Sequence, residues 1–245
     1  MKMQANVDCG EIQKQGGVWG EVKNASTKTA EQGIKPLDAY NAIKELIFKG
    51  VLNPGQKLIY SDLSQMIRMS KTPITNALNM LAYEGFVEYE MNKGYRIKRI
   101  DEKEITDLFE IRIAIEGLNV KDAIKKLSQE KVARLRAKLQ ILSEYDPPYT
   151  DRKKLFLDKE FHIEIARMGE NQYSIMFLNT IIENIFFRYR LERGLESRKD
   201  LIELEHRKIV AAIGERDEKG AAKYMRTHLT ELQKLMLRYL REIMG

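Results

Sequence analysis

The chain has 245 residues, 32% of them charged and 43% hydrophobic, with a net charge of +6. That is the balance of a soluble globular protein with enough chain for two cores, and the modest positive charge is compatible with a nucleic-acid partner. No apolar run approaches the roughly 18 residues of a membrane span and no signal core opens the chain. The single cysteine, Cys9, excludes internal disulfides and an all-thiolate metal site, so the expected setting is cytoplasmic.

Residues 1–35 are polar, glycine-bearing and aperiodic, and are expected to form a flexible extension that includes the lone Trp19. Ile43, Leu46 and Ile47 predict a first helix from about Leu37 to Lys49. In a second, short helix, Leu63, Met66 and Ile67 fall on one face, with Ser61 placed to cap it. Ser70 is placed to cap a third helix, and Pro73 falls in its first turn, where a missing N–H costs little. Ile74, Ala77, Leu78 and Leu81 form its apolar stripe. The opposite face carries Lys71, Thr72, Thr75, Asn76 and Asn79, hydrogen-bonding groups without a carboxylate, as contact with phosphates and base edges requires.

Gly85 should end that helix, after which Phe86, Val87 and Tyr89 start a strand that turns at Asn92-Lys93-Gly94 and returns through Tyr95–Arg99. Lys93, Arg96, Lys98 and Arg99 would set four cations around this hairpin, suited to backbone phosphates. The span 36–100 carries nine basic against six acidic side chains. It reads as a winged helix-turn-helix for double-stranded operator DNA, with Ser70, Lys71, Thr72, Thr75, Asn76, Asn79, Lys93 and Arg96 as candidate DNA contacts.

From 101 to 245 the pattern is helical throughout. Stripes predict helices over about Glu102–Lys126, from Val132 to Leu142, Leu155–Met168, Tyr173–Leu191 and Leu201–Ile213 with Gly214 closing it. A last helix should be capped by Asp217 and run to about Met244. The expected fold is therefore mostly α: the N-terminal winged helix-turn-helix, then an all-α antiparallel bundle of about six helices.

The chain has three histidines, His162, His206 and His228, each on the apolar stripe of its helix, and Asp158 stands one turn before His162. Three inward helices can bring one carboxylate and three imidazoles to a single interior point. Burying these groups separately is costly, whereas one divalent ion satisfies all four. Imidazole-rich ligation suits a transition metal, with zinc, nickel or manganese the leading expectations. Arg112 interrupts an apolar stripe and is placed either to fork onto an effector carboxylate or to pair with Glu116 one turn on. Asn171 could orient a metal-bound water or cap a helix.

Gly50-Val-Leu-Asn-Pro-Gly55 and Ser70-Lys-Thr-Pro-Ile-Thr-Asn-Ala-Leu78 resemble the motifs of the GntR family of bacterial transcription regulators. Lys71 and Thr75 stand where that family usually has arginines, and Asn76 where it has glutamate. Asp158-Lys-Glu-Phe-His162, Glu205-His206 and Met225-Arg-Thr-His228 are similar to the metal motifs of the FCD domain in its FadR branch, and the helix count is similar to the VanR-type subgroup. The resemblance implies a homodimeric regulator, in the simplest case a repressor. Asp158, His162, His206 and His228 would hold the ion, and a small carboxylate or sugar acid would bind there with Arg112 and Asn171. Two other functions use the same ligands: a sensor whose effector is the ion itself, and a metalloenzyme acting on a small acid. With no nucleophile motif or dedicated acid–base pair in the chain, a non-enzyme is the expectation.

Overall fold

A computed structural model describes residues 35–99, 101–147, 151–188 and 195–244. The expected extension over 1–35 lies outside the described residues except for Lys35. Helix α1 spans Lys35–Phe48, strand β1 Lys57–Leu58, α2 Tyr60–Ile67, α3 Lys71–Tyr83, β2 Val87–Glu90 and β3 Gly94–Ile97. The strands form one antiparallel sheet in the order β1-β3-β2, with Leu58 opposite Tyr95 and Val87 opposite Ile97. Ile43, Ile47, Ile74, Leu78, Phe86 and Ile97 fill the core between helices and sheet.

The turn chemistry follows from side-chain sterics. Gly85 ends α3 at φ +82°, and the β2–β3 turn passes through Asn92 at φ +64° and Gly94 at φ +86°, conformations that these residue types tolerate. Three local expectations are corrected. Helix α2 begins two residues early, with Ile59 at its N-cap, so Ser61 lies inside the helix and donates to Asp62 instead of capping. Met66 is half exposed, because a helix of only eight residues turns Leu63 and Ile67 inward and leaves Met66 at the side. Ser70 does occupy the N-cap of α3, but its hydroxyl makes no cap bond.

Six helices follow among the described residues: α4 Glu102–Lys125, α5 Gln129–Glu144, α6 Arg152–Gly169, α7 Gln172–Glu183, α8 Lys199–Gly214 and α9 Glu218–Met244. Helix α6 is buried on nearly all sides by α4, α5 and α7, and α9 packs along α4 and α8. Helix α7 runs on into a π-helical turn, Asn184–Arg188; its expected end at Leu191 lies outside the described residues. Gly214 stays helical, contrary to expectation, and the left-handed residue is Arg216 at φ +60°. Its guanidinium donates to the carbonyls of Ile124 and Leu127, which compensates for the unfavourable backbone. Asp217 caps α9 as expected, accepting from the Gly220 N–H at 2.9 Å.

The two cores are joined by a chain of charges. Lys44 on α1 forms an ion pair with Glu183 at 2.7 Å and donates to Glu84, the C-cap of α3, at 3.2 Å. Glu183 is also held at 2.8 Å by Lys159, the neighbour of Asp158 on α6. Tyr40 donates to Glu84, and the Asn184 amide donates to the Glu84 backbone carbonyl at 2.8 Å. Burial would push the Glu183 carboxyl up, but Lys159 and Lys44 outweigh it and hold it below the usual range. Glu183→Gln would leave two nearly buried ammonium groups facing a neutral amide. It is expected to cost about 3 kcal/mol in urea unfolding; a loss below about 0.5 kcal/mol would mean that these charges contribute no more than a solvated pair.

Candidate functional site

Helices α6, α8 and α9 each turn one histidine into the interior. His162, His206 and His228 are at most 1% exposed, and one possible ligand atom from each lies within 4.8 Å of the others. The Nε2 atoms of His206 and His228 are 3.3 Å apart, and His206 Nε2 is 3.4 Å from Asp158 Oδ1. Asp158 Oδ2 lies 3.8 Å from His162 Nε2. Two neighbouring donors bound at about 2.1 Å to one ion stand roughly 3.0 Å apart in octahedral and roughly 3.4 Å apart in tetrahedral geometry, so the spacing is near that of a shared ion.

Two of the rings are oriented from behind in the same way. His162 Nδ1 lies 2.5 Å from Glu116 Oε2, and the other oxygen of Glu116 accepts from Arg112 Nε at 2.7 Å. His228 Nδ1 lies 2.8 Å from Glu205 Oε2, and Arg198 grips Glu205. A carboxylate on Nδ1 places the ring proton there, which leaves the Nε2 lone pair directed inward. Burial alone would push the Glu116 carboxyl up; His162 and Arg112 outweigh it and hold it at about 2. Burial drives His206 well below the ordinary imidazole range, with His228 and His162 adding to the shift. Burial also lowers His228, against the opposing pull of Glu205. Both shifts favour the neutral imidazole in His206 and His228, the protonation state that a metal requires.

The donors fit such an ion by a second test. His162 Nε2 and Asp158 Oδ2 are buried without a hydrogen-bond partner, a costly state that coordination would relieve. Glu116 and Glu205 are the residues that sequence reasoning undervalued. The i, i+4 spacing of Arg112 and Glu116 was visible, but its service to His162 crosses from α4 to α6. Glu205 points away from its neighbour His206 along the chain and meets His228 across a helix interface, so no local spacing reveals it.

The two expected effector residues make the following contacts. Arg112 is fully buried with Nε committed to Glu116, its guanidinium 5.3 Å from the centre of the Phe186 ring, and both terminal nitrogens lack hydrogen-bond partners. It stands behind His162 and does not line the cavity that opens beside His206 and His228. Asn171 is the N-cap of α7, accepting from the Ser174 N–H at 3.1 Å, and is also absent from that lining. The capping alternative therefore describes its contact, because α7 begins at the next residue and needs its oxygen.

On the winged helix, Ser70, Lys71, Thr72, Asn76 and Asn79 are exposed on α3 or at its head. Lys71 sits over the Tyr60 ring, Thr75 donates back to the Lys71 carbonyl, and Asn79 accepts from the Tyr95 hydroxyl. Three of the four cations expected around the hairpin have acidic partners. Arg96 pairs with Glu90 at 2.5 Å, Lys93 with Glu90 at 3.0 Å and Lys98 with Glu104 at 2.5 Å. Cross-strand and turn neighbours bring acidic groups to the hairpin cations, which reduces their pull on phosphates.

Comparison with known proteins agrees with this architecture. Residues 36–97 match the family of bacterial regulatory proteins, gntR family, and residues 107–231 match the FCD domain, about half of the chain. The HTH-type transcriptional repressor GlaR of Escherichia coli is 29% identical over 80% of this chain and 93% of its own length. The Nta operon transcriptional regulator of Aminobacter aminovorans is 28% identical over 72% of this chain and 82% of its own. The solved structure of E. coli McbR/YncC superposes with a TM-score of 0.67 at 17% identity, covering 84% of this chain and 98% of that one. Similarity over both cores, in this order, shows that the chain belongs to the gntR family of bacterial DNA-binding transcription regulators, in the group that carries an FCD domain.

Proposed function

We propose that this regulator holds a divalent transition metal on Asp158, His162, His206 and His228, and that a small carboxylate binding at this centre controls operator affinity. The observation that carries the proposal is the buried convergence of three imidazoles and a carboxylate, with His162 Nε2 and Asp158 Oδ2 left unpartnered. A four-donor set leaves positions on an octahedral ion for water or an effector oxygen. The metal would supply Lewis acidity toward that oxygen; the chain supplies the orientation, through Arg112–Glu116 and Arg198–Glu205. Arg112 serves the effector here as the support of His162.

The same proposal gives the DNA surface as Ser70, Lys71, Thr72, Thr75, Asn76 and Asn79 on α3, with Lys93 and Arg96 from the hairpin nearer the backbone. Exposed Asn76 has the donor and acceptor pair that suits an adenine edge. A homodimer would set two such surfaces on a two-fold operator. Its contact is proposed on neighbouring α4 and α7, where Ile111, Leu118, Tyr173, Met176 and Phe177 are all about half exposed or more. Transmission is proposed through Lys159–Glu183–Lys44–Glu84, which starts beside a metal donor and ends at the C-cap of α3. An effector can shift this link only by favouring one arrangement of it.

Metal analysis of the purified protein is expected to give about one ion per chain. His206→Ala should lose the ion, and Glu205→Gln should weaken it by roughly 10- to 100-fold while keeping the fold. Retention of metal by His206→Ala would overturn the proposed ligand set. Operator selection with Asn76→Ala should relax preference at one base position per half-site, by about 1–3 kcal/mol. An unchanged preference would assign Asn76 no part in base readout.

A further inference from the structure

The cavity beside the candidate centre has a composition that narrows what it can accept. It lies between α5, α6, α8, α9 and the π turn, and Asp158, His206 and His228 form part of its wall. Leu139, Leu142, Leu155, Phe186, Ile202 and Leu232 supply most of the remaining wall. Polar groups are few among the described residues, and most are already engaged. Lys154 donates to the carbonyls of Leu142 and Tyr145 at 2.5 and 2.8 Å. Lys199 is held by Asp146 and by the Pro147 carbonyl. Glu203 pairs with Arg207 at 2.6 Å and brings negative charge to the wall. Ser143 adds a single hydroxyl.

A buried hydroxyl without a partner costs free energy, so a polyhydroxylated acid would have several groups to satisfy and little to satisfy them with. A second carboxylate would meet two lysines already engaged, and Glu203 would repel it. The cavity volume of about 50 Å³ corresponds to roughly three to five waters, which favours a compact ligand. We propose that the effector is a compact monocarboxylic acid with a hydrocarbon body, its carboxylate toward Asp158, His206 and His228 and its body against Leu139, Leu142, Leu155 and Ile202. This rests on the metal-and-carboxylate function proposed above and adds the chemical class. Specificity then comes from the apolar wall, which rewards carbon and penalises unpaired oxygen.

The test is a calorimetric and thermal-shift comparison on full-length, metal-loaded protein, with metal content measured in the same samples. The probes are 3-methylbutanoate and benzoate, glutarate as a dicarboxylate, and gluconate as a polyhydroxy acid. At least one apolar acid is expected to bind about a hundredfold more tightly than gluconate and glutarate, and Leu142→Thr should reduce that preference without changing metal content. Tighter binding of gluconate or glutarate would overturn the proposed class while leaving a carboxylate-responsive centre in place. Binding of none of the four would overturn the proposal, and the metal assay would then show whether the ion site has fallen with it. Should Leu142→Thr fail to fold, the ranking on the unaltered protein decides the matter.

Discussion

Four groups that water solvates well, Asp158, His162, His206 and His228, are folded onto one interior point, and the bundle is arranged around the cost of keeping them there. Burial pushes His206 and His228 toward neutrality, which removes the largest electrostatic penalty but leaves lone pairs facing one another. Direct pairing cannot satisfy the set: His162 Nε2 and Asp158 Oδ2 remain without partners. A hydrophobic core of the same shape would be cheaper to build. The arrangement is therefore best understood as stabilisation given up for a binding site.

The cost is contained by the supports behind the rings. Arg112 holds Glu116, which fixes His162; Arg198 holds Glu205, which fixes His228. Both glutamates are kept ionised by the cations around them, so each can hold a ring proton on Nδ1. The supports come from α4 and from the start of α8, while the rings sit on α6 and α9, so a single centre ties four of the six helices together. The charge chain from Lys159 to Glu84 leaves the same region and crosses to the winged helix. Lys159 and Glu183 in this chain are buried and Lys44 and Glu84 partly so, and together they link α6 to the end of α3.

Much of this was legible in the sequence because its signals are local. The stripes of α4 to α9, the Asn92–Gly94 turn, the Asp217 cap and the i, i+4 placement of Asp158 and His162 depend on spacing within one element. The six-helix bundle and the winged helix followed from them. What escaped depends on contacts between elements. Glu205 serves a histidine 23 positions away, and no periodicity within α8 points to α9. The acidic partners of the hairpin cations, Glu90 and Glu104, were not visible, because their positions depend on strand register and on the docking of α4. Met66 was misplaced because an apolar residue in a two-turn helix has too little helix around it for a stripe to be decisive.

The central claim is that the three histidines share an ion. X-ray absorption at the metal edge of the purified, full-length protein tests it most directly. The account predicts three imidazole nitrogens with one or more oxygens, at about 2.0–2.2 Å. A metal-free protein that cannot be loaded, or a bound ion whose coordination lacks imidazole, would contradict it.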